Sequence, residues 1–438
     1  MDFSPEALVG ILADWPHPHR YVTLVSGGLD STVLLHALAE VRRRLVAPLV
    51  VLHFDHEIAA DSPLWARQVE RMAETLGLPF FLERLAIASS DAALETRARS
   101  ARYARLSAWM TPNDCCLTAH HADDQAETFL LQALRGAGSV GLAAMPQLRR
   151  FGSGWLGRPL LAWTRRQLEN RARTQNLEWI EDPGNLDPAA ARNWLRQRVW
   201  PSLTDRWPAA SITLARSASQ AAEAAALAAE WADEDLARHA SASPDRLPIG
   251  ALLGLGPARR RNLLRHWIRK RGLSVPTAAK LAELEREFIE RDPGARATLM
   301  WPGAEAHRFR DMLHVLAPLP RPSPAAITLT LGEWSDLGPL GRVALFADPR
   351  GQMRPVVTQG ALTLRFRVGG ETLRPAGNAH HRPLKKLLQE SAVLPWMRPR
   401  VPLLYVGDEL AAVAGLDVAA EYAGRGWSLL WENAPPLR

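Results

Sequence analysis

The sequence predicts an α/β fold: a parallel-sheet nucleotide-binding domain first, then a mainly helical middle domain, then a small α+β domain. Three observations carry that expectation. Over the first 135 residues, short apolar runs with β-branched residues alternate with segments of helical spacing. That alternation implies a parallel sheet covered by helices on both faces. The stretch Ala209–Ala240 is rich in alanine and poor in breakers, so it predicts a long helix leaving the first domain. From Ala361 onward the pattern becomes strand, helix, strand. A chain of 438 residues exceeds one ordinary core, and the boundaries are expected at 1–210, 211–355 and 356–438.

The elements follow in order. Tyr21–Val25 is a short buried strand, and Ser31–Val41 has helical spacing. Ala47–Phe54 is a second strand, followed by a helix carrying Trp65, Val69, Met72 and Leu76. Phe80–Leu85 reads as a third strand, Leu94–Met110 as a helix, Cys115–Ala119 as a fourth strand and Asp123–Leu134 as a helix. A Gly-rich break, Arg135–Met145, precedes a basic segment running through Pro201. The middle region continues in helical patterns, with strand-like pieces on either side of the Pro-rich connector Ala317–Ala325. Ligands of such parallel sheets sit at the carboxyl ends of the strands.

Composition narrows the class. Apolar residues make up 47 % and charged residues 23 %, a globular balance. No run approaches the roughly 20 apolar residues that span a bilayer. Asp2 stands where a signal peptide carries a base, so a cytoplasmic protein is expected, with no membrane partner. Cys115 and Cys116 are the only cysteines; being adjacent, they suit neither a zinc site nor a CxxC redox pair. The formal charge is +7. Arg149–Arg206 holds eleven Arg against six acids, and Thr363–Arg400 six Arg and two Lys against two acids. Two basic stretches suit a long polyanion touched at two places.

The most specific stretch is Ser26-Gly27-Gly28-Leu29-Asp30-Ser31-Thr32, between the first strand and its helix. Two residues without Cβ let the backbone turn sharply and approach a ligand. Their N–H groups and those of the first helical turn are unpaired donors, and the helix dipole adds positive potential. Ser26 and Ser31 add hydroxyls. This is a cradle for an anion, and phosphate is the natural occupant. Asp30 would repel a phosphate unless a divalent cation lay between them, so Asp30 is the expected Mg²⁺ ligand. An ordinary capped turn is the plainer reading of a bare Ser-Gly-Gly.

The whole string resembles the PP-loop of the N-type ATP pyrophosphatases. That resemblance implies ATP as the cofactor, with Ser26 to Ser31 gripping its pyrophosphate while AMP passes to an acceptor. Further segments resemble the tRNA(Ile)-lysidine synthetase family. They are "HFDHEI" at His53–Ile58; Glu95, Ala98, Arg99, Arg102 and Tyr103; "AHHADDQAET" at Ala119–Thr128; "RPLL" at Arg158–Leu161; and Asp182, Pro183, Asn185, Arg192, Asn193 and Arg196. "RPLKKLLQES" and the segment from Pro395 to Leu416 resemble its C-terminal module. One departure is Ala59, where the family usually carries Arg.

The resemblance implies one reaction. Free L-lysine is ligated to C2 of the wobble cytidine of the isoleucine tRNA with a CAU anticodon. AMP is first transferred to the cytidine O2, and pyrophosphate is released. The C2 oxygen is a poor leaving group until AMP is attached to it. The lysine ε-amine, with an ordinary pKa of roughly 10.4, arrives protonated and needs a carboxylate to hold it and a base to take a proton. Asp123 and Glu127 are four apart and share a helix face, with Asp124 one position round. These three are the expected lysine site, although acids in a first turn also favour the helix dipole. Asp30, Asp123, Glu127 and Arg192 are the expected catalytic residues. His120 and His121 end the fourth strand and either line the site or serve structure. Glu95 and Arg99 either pair with each other or free an Arg for phosphate. Arg192 and Arg196 suit a tRNA or nucleotide contact, or an ion pair to Asp182. Arg196, Arg382, Lys385 and Lys386, with His380 and His381 beside them, are expected to meet tRNA through backbone charge. The nearest alternative is another PP-loop enzyme such as a tRNA cytidine 2-thiolase. The adjacent cysteine pair argues against it.

Overall fold

The computed structural model describes residues 3–57, 61–85, 94–181, 191–239, 244–291 and 297–437, with 94–96 and 359 described by backbone alone. It divides into two compact units, Met1–Leu227 and Ala228–Arg438.

The first unit opens with α1 (Pro5–Ala13) and β1 (Tyr21–Leu24), then α2 (Leu29–Glu40), β2 (Leu49–Asp55), α3 (Ser62–Thr75), β3 (Phe80–Arg84), α4 (Leu94–Trp109), β4 (Cys115–Leu117) and α5 (Ala122–Leu134). The expected alternation is present. After the short α6 (Ser139–Leu142) comes a hairpin of β5 (Leu148–Phe151) and β6 (Gly154–Gly157), where the sequence predicts only a basic segment. Then follow α7 (Arg165–Thr174), α8 (Ala191–Trp194), a π-helical turn (Leu195–Val199), α9 (Trp200–Arg206) and α10 (Ala210–Arg238). The break between units falls inside α10.

The sheet order is β3-β2-β1-β4-β6-β5, with only β5 antiparallel to its neighbour. Every residue of β2 is buried, as expected for a strand covered on both faces. Helix α2 packs Leu34 and Leu38 into one core cluster and Leu35 into another. Gly154 lets β6 lie against β4: a Cβ there would fall 2.1 Å from the Asp114 carbonyl oxygen. The chain runs β1, β2, β3 to one side, then returns to place β4 on the other side of β1. That reversal puts a crevice at the carboxyl ends of β1 and β4, where ligands of such sheets bind.

The second unit takes in the end of α10 and continues with β7 (Arg246–Pro248), α11 (Ile249–Leu253), α12 (Pro257–Lys270) and α13 (Ala278–Leu284). A four-stranded antiparallel sheet, β7-β10-β9-β8, then appears from β8 (Leu299–Trp301), β9 (Ala304–Phe309) and β10 (Met312–Leu316). The helices bury Leu263, Leu264, Trp267 and Ile268 against Leu313 and Val315 of that sheet. Past it come β11 (Ile327–Thr328), β12 (Ser335–Asp336), β13 (Arg342–Asp348), β14 (Leu362–Arg365), β15 (Thr372–Leu373), β16 (Arg382–Pro383) and α14 (Leu384–Glu390). Strands β17 (Leu403–Val406), β18 (Glu409–Val413), β19 (Asp417–Val418) and β20 (Gly426–Glu432) complete it. The strand, helix, strand pattern expected after Ala361 is therefore β14, α14, β17 and β18. Trp396 stacks on His307 of β9 with ring centroids 4.2 Å apart. Among the described residues no helix is long and apolar enough to cross a membrane.

Candidate active site

The glycine turn lies between β1 and α2. Gly27 has φ +89°, and its carbonyl oxygen accepts from Ile180 N at 2.9 Å. A Cβ at Gly27 would come within 2.3 Å of Ile180 Cδ1. Gly28 caps α2 with an extended conformation. Ser31 Oγ donates to the Gly28 carbonyl at 2.9 Å and accepts from Ser26 N at 3.2 Å, while Thr32 Oγ1 donates to the Gly27 carbonyl at 3.2 Å. The loop is thus braced from beneath by its own hydroxyls. Gly27→Ala should cost about 1–3 kcal/mol, because an L side chain is strained at that φ. Denaturant titration and ATP affinity measure it, and an unchanged midpoint with unchanged affinity would refute the need for glycine at this turn.

Asp30, in the first turn of α2, faces the start of α5. Its Oδ2 lies 3.6 Å from His121 Nε2, and its Oδ1 is buried without a hydrogen-bond partner. His121 is enclosed by acids: Nε2 is 3.4 Å from Asp124 Oδ2, and Nδ1 is 3.4 Å from Asp123 Oδ2. Burial opposes its charge, but Asp124, Asp123 and Asp30 together outweigh burial and push its pKa up to about 10. His121 is therefore a buried imidazolium shared between the glycine turn and α5.

The two aspartates of α5 have different duties. Asp124 Oδ2 accepts from the His121 backbone N–H at 3.1 Å, an N-terminal capping bond. Its Oδ1 accepts from an Arg196 guanidinium nitrogen at 2.7 Å. Asp123 turns the other way. It accepts from the Arg165 backbone N–H at 2.7 Å and from Ser211 Oγ at 2.6 Å. Burial raises its pKa, but His121, Ser211 and the Arg165 N–H overcome that and hold it at about 2. Such a depressed carboxylate contributes stability that is whole above its ordinary value of 3.8 and lost as pH falls through 2. Acid titration of Asp123→Asn beside the parent should therefore show a stability gap near neutrality that closes toward pH 2. A constant gap would refute this.

Of the three acids expected to hold lysine, Asp124 and Glu127, three apart, are brought together, while Asp123 is engaged elsewhere. Arg196 spans them, with Nε donating to Glu127 Oε1 at 2.6 Å. Arg192 donates to Thr128 Oγ1 at 2.7 Å, and its Nε lies 3.5 Å from Glu127 Oε2. That Oε2 is buried and accepts no hydrogen bond. Burial raises the Glu127 pKa, and Arg196 works against it. Arg196 sits on the π-helical turn, a widened geometry frequent at functional sites. The arrangement offers a donor-lined anion cradle and, across His121, a carboxylate pair with one open acceptor.

Other expected residues are placed as follows. Arg99 lies with its guanidinium carbon 5.3 Å from the Tyr103 ring centre. Arg382 is bonded to both Glu390 carboxylate oxygens at 2.5 and 2.7 Å. Lys385 and Lys386 are exposed on α14, as is His381 just before it. Ile58, Ala59, Asp182, Pro183, Asn185 and the Glu95 side chain lie outside the described residues. The pairings weighed for Arg99 with Glu95 and for Arg192 with Asp182 therefore fall outside them too. Both thiols are buried and free; burial drives Cys115 up to about 12 and Cys116 further still.

Comparison with known proteins reaches the same place. A PP-loop domain model matches residues 7–203, a TilS substrate binding domain model 247–314, and a TilS substrate C-terminal domain model 362–431. A tRNA(Ile)-lysidine synthase of Alkalilimnicola ehrlichii is 40 % identical over 99 % of this chain and 98 % of its own. The chain belongs to the tRNA(Ile)-lysidine synthase family. Family members from Methylococcus capsulatus (39 % identical, 93 % of this chain and 94 % of that one) and Coxiella burnetii (36 %, 99 % and 97 %) agree. In family terms, the glycine turn and α5 fall inside the PP-loop domain, and α14 falls inside the C-terminal domain.

Proposed function

We propose that the protein forms lysidine in the cytoplasm, acting as an ATP-dependent ligase on the wobble cytidine of the CAU-anticodon isoleucine tRNA. AMP and pyrophosphate are the by-products. Family membership supports the reaction class. The observation that carries the residue assignment is the convergence of Asp30, Asp124 and Asp123 on His121, which joins the phosphate cradle to the acid pair.

The steps follow from the chemistry of these groups. The N–H groups around Gly27 and Gly28 bind the β- and γ-phosphates. The unpartnered Asp30 Oδ1 fits a Mg²⁺ ion, which prefers one or two carboxylates plus substrate phosphates and water. When bound, that ion neutralises charge on the departing pyrophosphate. Asp124 and Glu127 bind the lysine ammonium, with Glu127 Oε2 as the open acceptor. Burial makes Glu127 a better proton acceptor than an ordinary carboxylate. Asp123 fixes the start of α5 and the orientation of His121. Arg192 and Arg196 neutralise the acids until lysine arrives, then become free for the phosphate of the nucleotide. A thiolase reading is less well supported, because thiols buried with raised pKa values are poor sulfur carriers.

Incubation with ATP, Mg²⁺, lysine and a CAU-anticodon transcript should attach lysine to the wobble cytidine. Omission of any component should abolish the product. Release of AMP without a lysine adduct would overturn the proposal. We also propose that Arg382, Lys385 and Lys386 contact the tRNA backbone. Lys385→Ala with Lys386→Ala should lower the salt slope of tRNA binding by about 1–2. An unchanged slope would remove α14 from the interface.

A further inference from the structure

Thr118 follows β4, is 8 % exposed, and carries a hydroxyl with two polar neighbours. Its oxygen lies 2.8 Å from His120 Nδ1 and 3.3 Å from the carbonyl oxygen of Gly157. The Thr118 backbone N–H also donates to that carbonyl, at 2.9 Å. A hydroxyl has one proton to give, and a carbonyl has none. If the proton went to Nδ1, two oxygen atoms would face each other at 3.3 Å with no hydrogen between them. If it goes to Gly157, the hydroxyl oxygen is free to accept from Nδ1–H, and both contacts become attractive. The second arrangement leaves the imidazole lone pair on Nε2, which makes no hydrogen bond among the described residues.

We propose that Thr118 is a positioning residue that holds His120 in the Nδ1–H tautomer. His120 Nε2 then accepts an N–H of the substrate amine beside Asp124 and Glu127 and aims that nitrogen at the cytidine C2. The inference rests on the function proposed above and adds a residue to it. It requires a neutral ring, because an imidazolium has no lone pair to offer. The groups facing His120 supply that neutrality. Burial disfavours its charge most; Asp124 on α5 favours it; Arg158 after β6, Arg99 on α4 and Arg192 on α8 disfavour it. The balance brings His120 down to about 4, so the ring is neutral from about pH 5 upward. The adjacent histidines of one motif thus take opposite states: His120 an acceptor, His121 a cation.

Two variants and one spectrum test this. Thr118→Val keeps the shape and removes the hydroxyl, while Thr118→Ser keeps the hydroxyl. In lysidine formation with varied lysine, the valine variant should lose about tenfold in kcat/KM for lysine, with KM for ATP little changed. The serine variant should recover most of the loss. Two-bond ¹H–¹⁵N spectra of histidine-labelled full-length protein, with the His120 signals identified by subtraction of a His120→Gln spectrum, should show Nδ1 protonated in the parent. The valine variant should show mixed tautomers. An Nε2–H signature in the parent overturns the proposal, as do unchanged lysine kinetics in Thr118→Val or equal loss in both variants. Should the parent form no lysidine, the proposed function itself fails, and the spectra alone decide the tautomer.

Discussion

Asp30→Ala should abolish AMP formation while tRNA affinity stays nearly intact. The carboxylate sits in the first turn of α2, where the helix dipole and the Gly27–Gly28 amides already favour phosphate. A bare acid there would oppose that binding, so the role proposed for it is to hold a cation that would neutralise charge on the departing pyrophosphate. Removing it should slow AMP formation by on the order of 10³-fold or more, the scale of losing one preorganised electrostatic contact. Asp30 also faces His121, so Asp30→Asn is the sharper control. It keeps the size and the local packing while removing the charge. Filter binding of tRNA and release of radiolabelled AMP read the two effects separately. Parallel loss of both in Asp30→Asn would mean that Asp30 serves the fold and not the reaction.

Glu127→Gln should separate the two halves of the reaction. The amide retains the shape of the buried side chain and can still accept from Arg196, but it no longer offers a charge to an ammonium. Lysine KM should rise by about 10²-fold, the scale of losing a buried charge-assisted contact. AMP transfer to tRNA without lysine should survive, since the phosphate cradle is untouched. The matching Asp123→Asn change should leave lysine KM within a small factor, because its carboxylate is committed to Arg165 and Ser211. If Asp123→Asn raised the lysine KM as much as Glu127→Gln, the division of labour drawn between them would be wrong.

Much of this was legible in the sequence, for local reasons. The strands of the first unit announce themselves because both faces are covered, so their apolar runs are nearly unbroken. The Ser26–Thr32 turn is legible because a strand, two glycines and a helix start are all local features. The β5–β6 hairpin was not legible, since Leu148–Phe151 is an edge strand with two arginines and its partner leans on Gly154 for a close approach. The choice between Asp123 and Asp124 was also hidden. Helical spacing groups Asp123 with Glu127, but the first turn of a helix directs its acids by what they find. Asp123 finds a backbone N–H 42 residues away and a hydroxyl 88 away, while Arg196 reaches Asp124 across 72 residues. Such partners are set by the folded chain. No window of sequence contains them. Similarly, the adjacent His120 and His121 have the same spelling but different states, one neutral and one a cation, because burial prevails at His120 while Asp124, Asp123 and Asp30 outweigh it at His121.

The Arg196 span over Asp124 and Glu127 has a further consequence. If Asp124 and Glu127 hold lysine as proposed, the resting pocket already contains a tethered rival for the incoming amine, kept at a high effective concentration by its place in the same chain. A lone ammonium or a short amine gains too little from one carboxylate to dislodge a guanidinium bonded to two. The full amino acid, with more contacts to make, can complete the exchange. On that proposed site, selection among amines would be an eviction contest decided inside the protein, before any bond to the nucleobase is made.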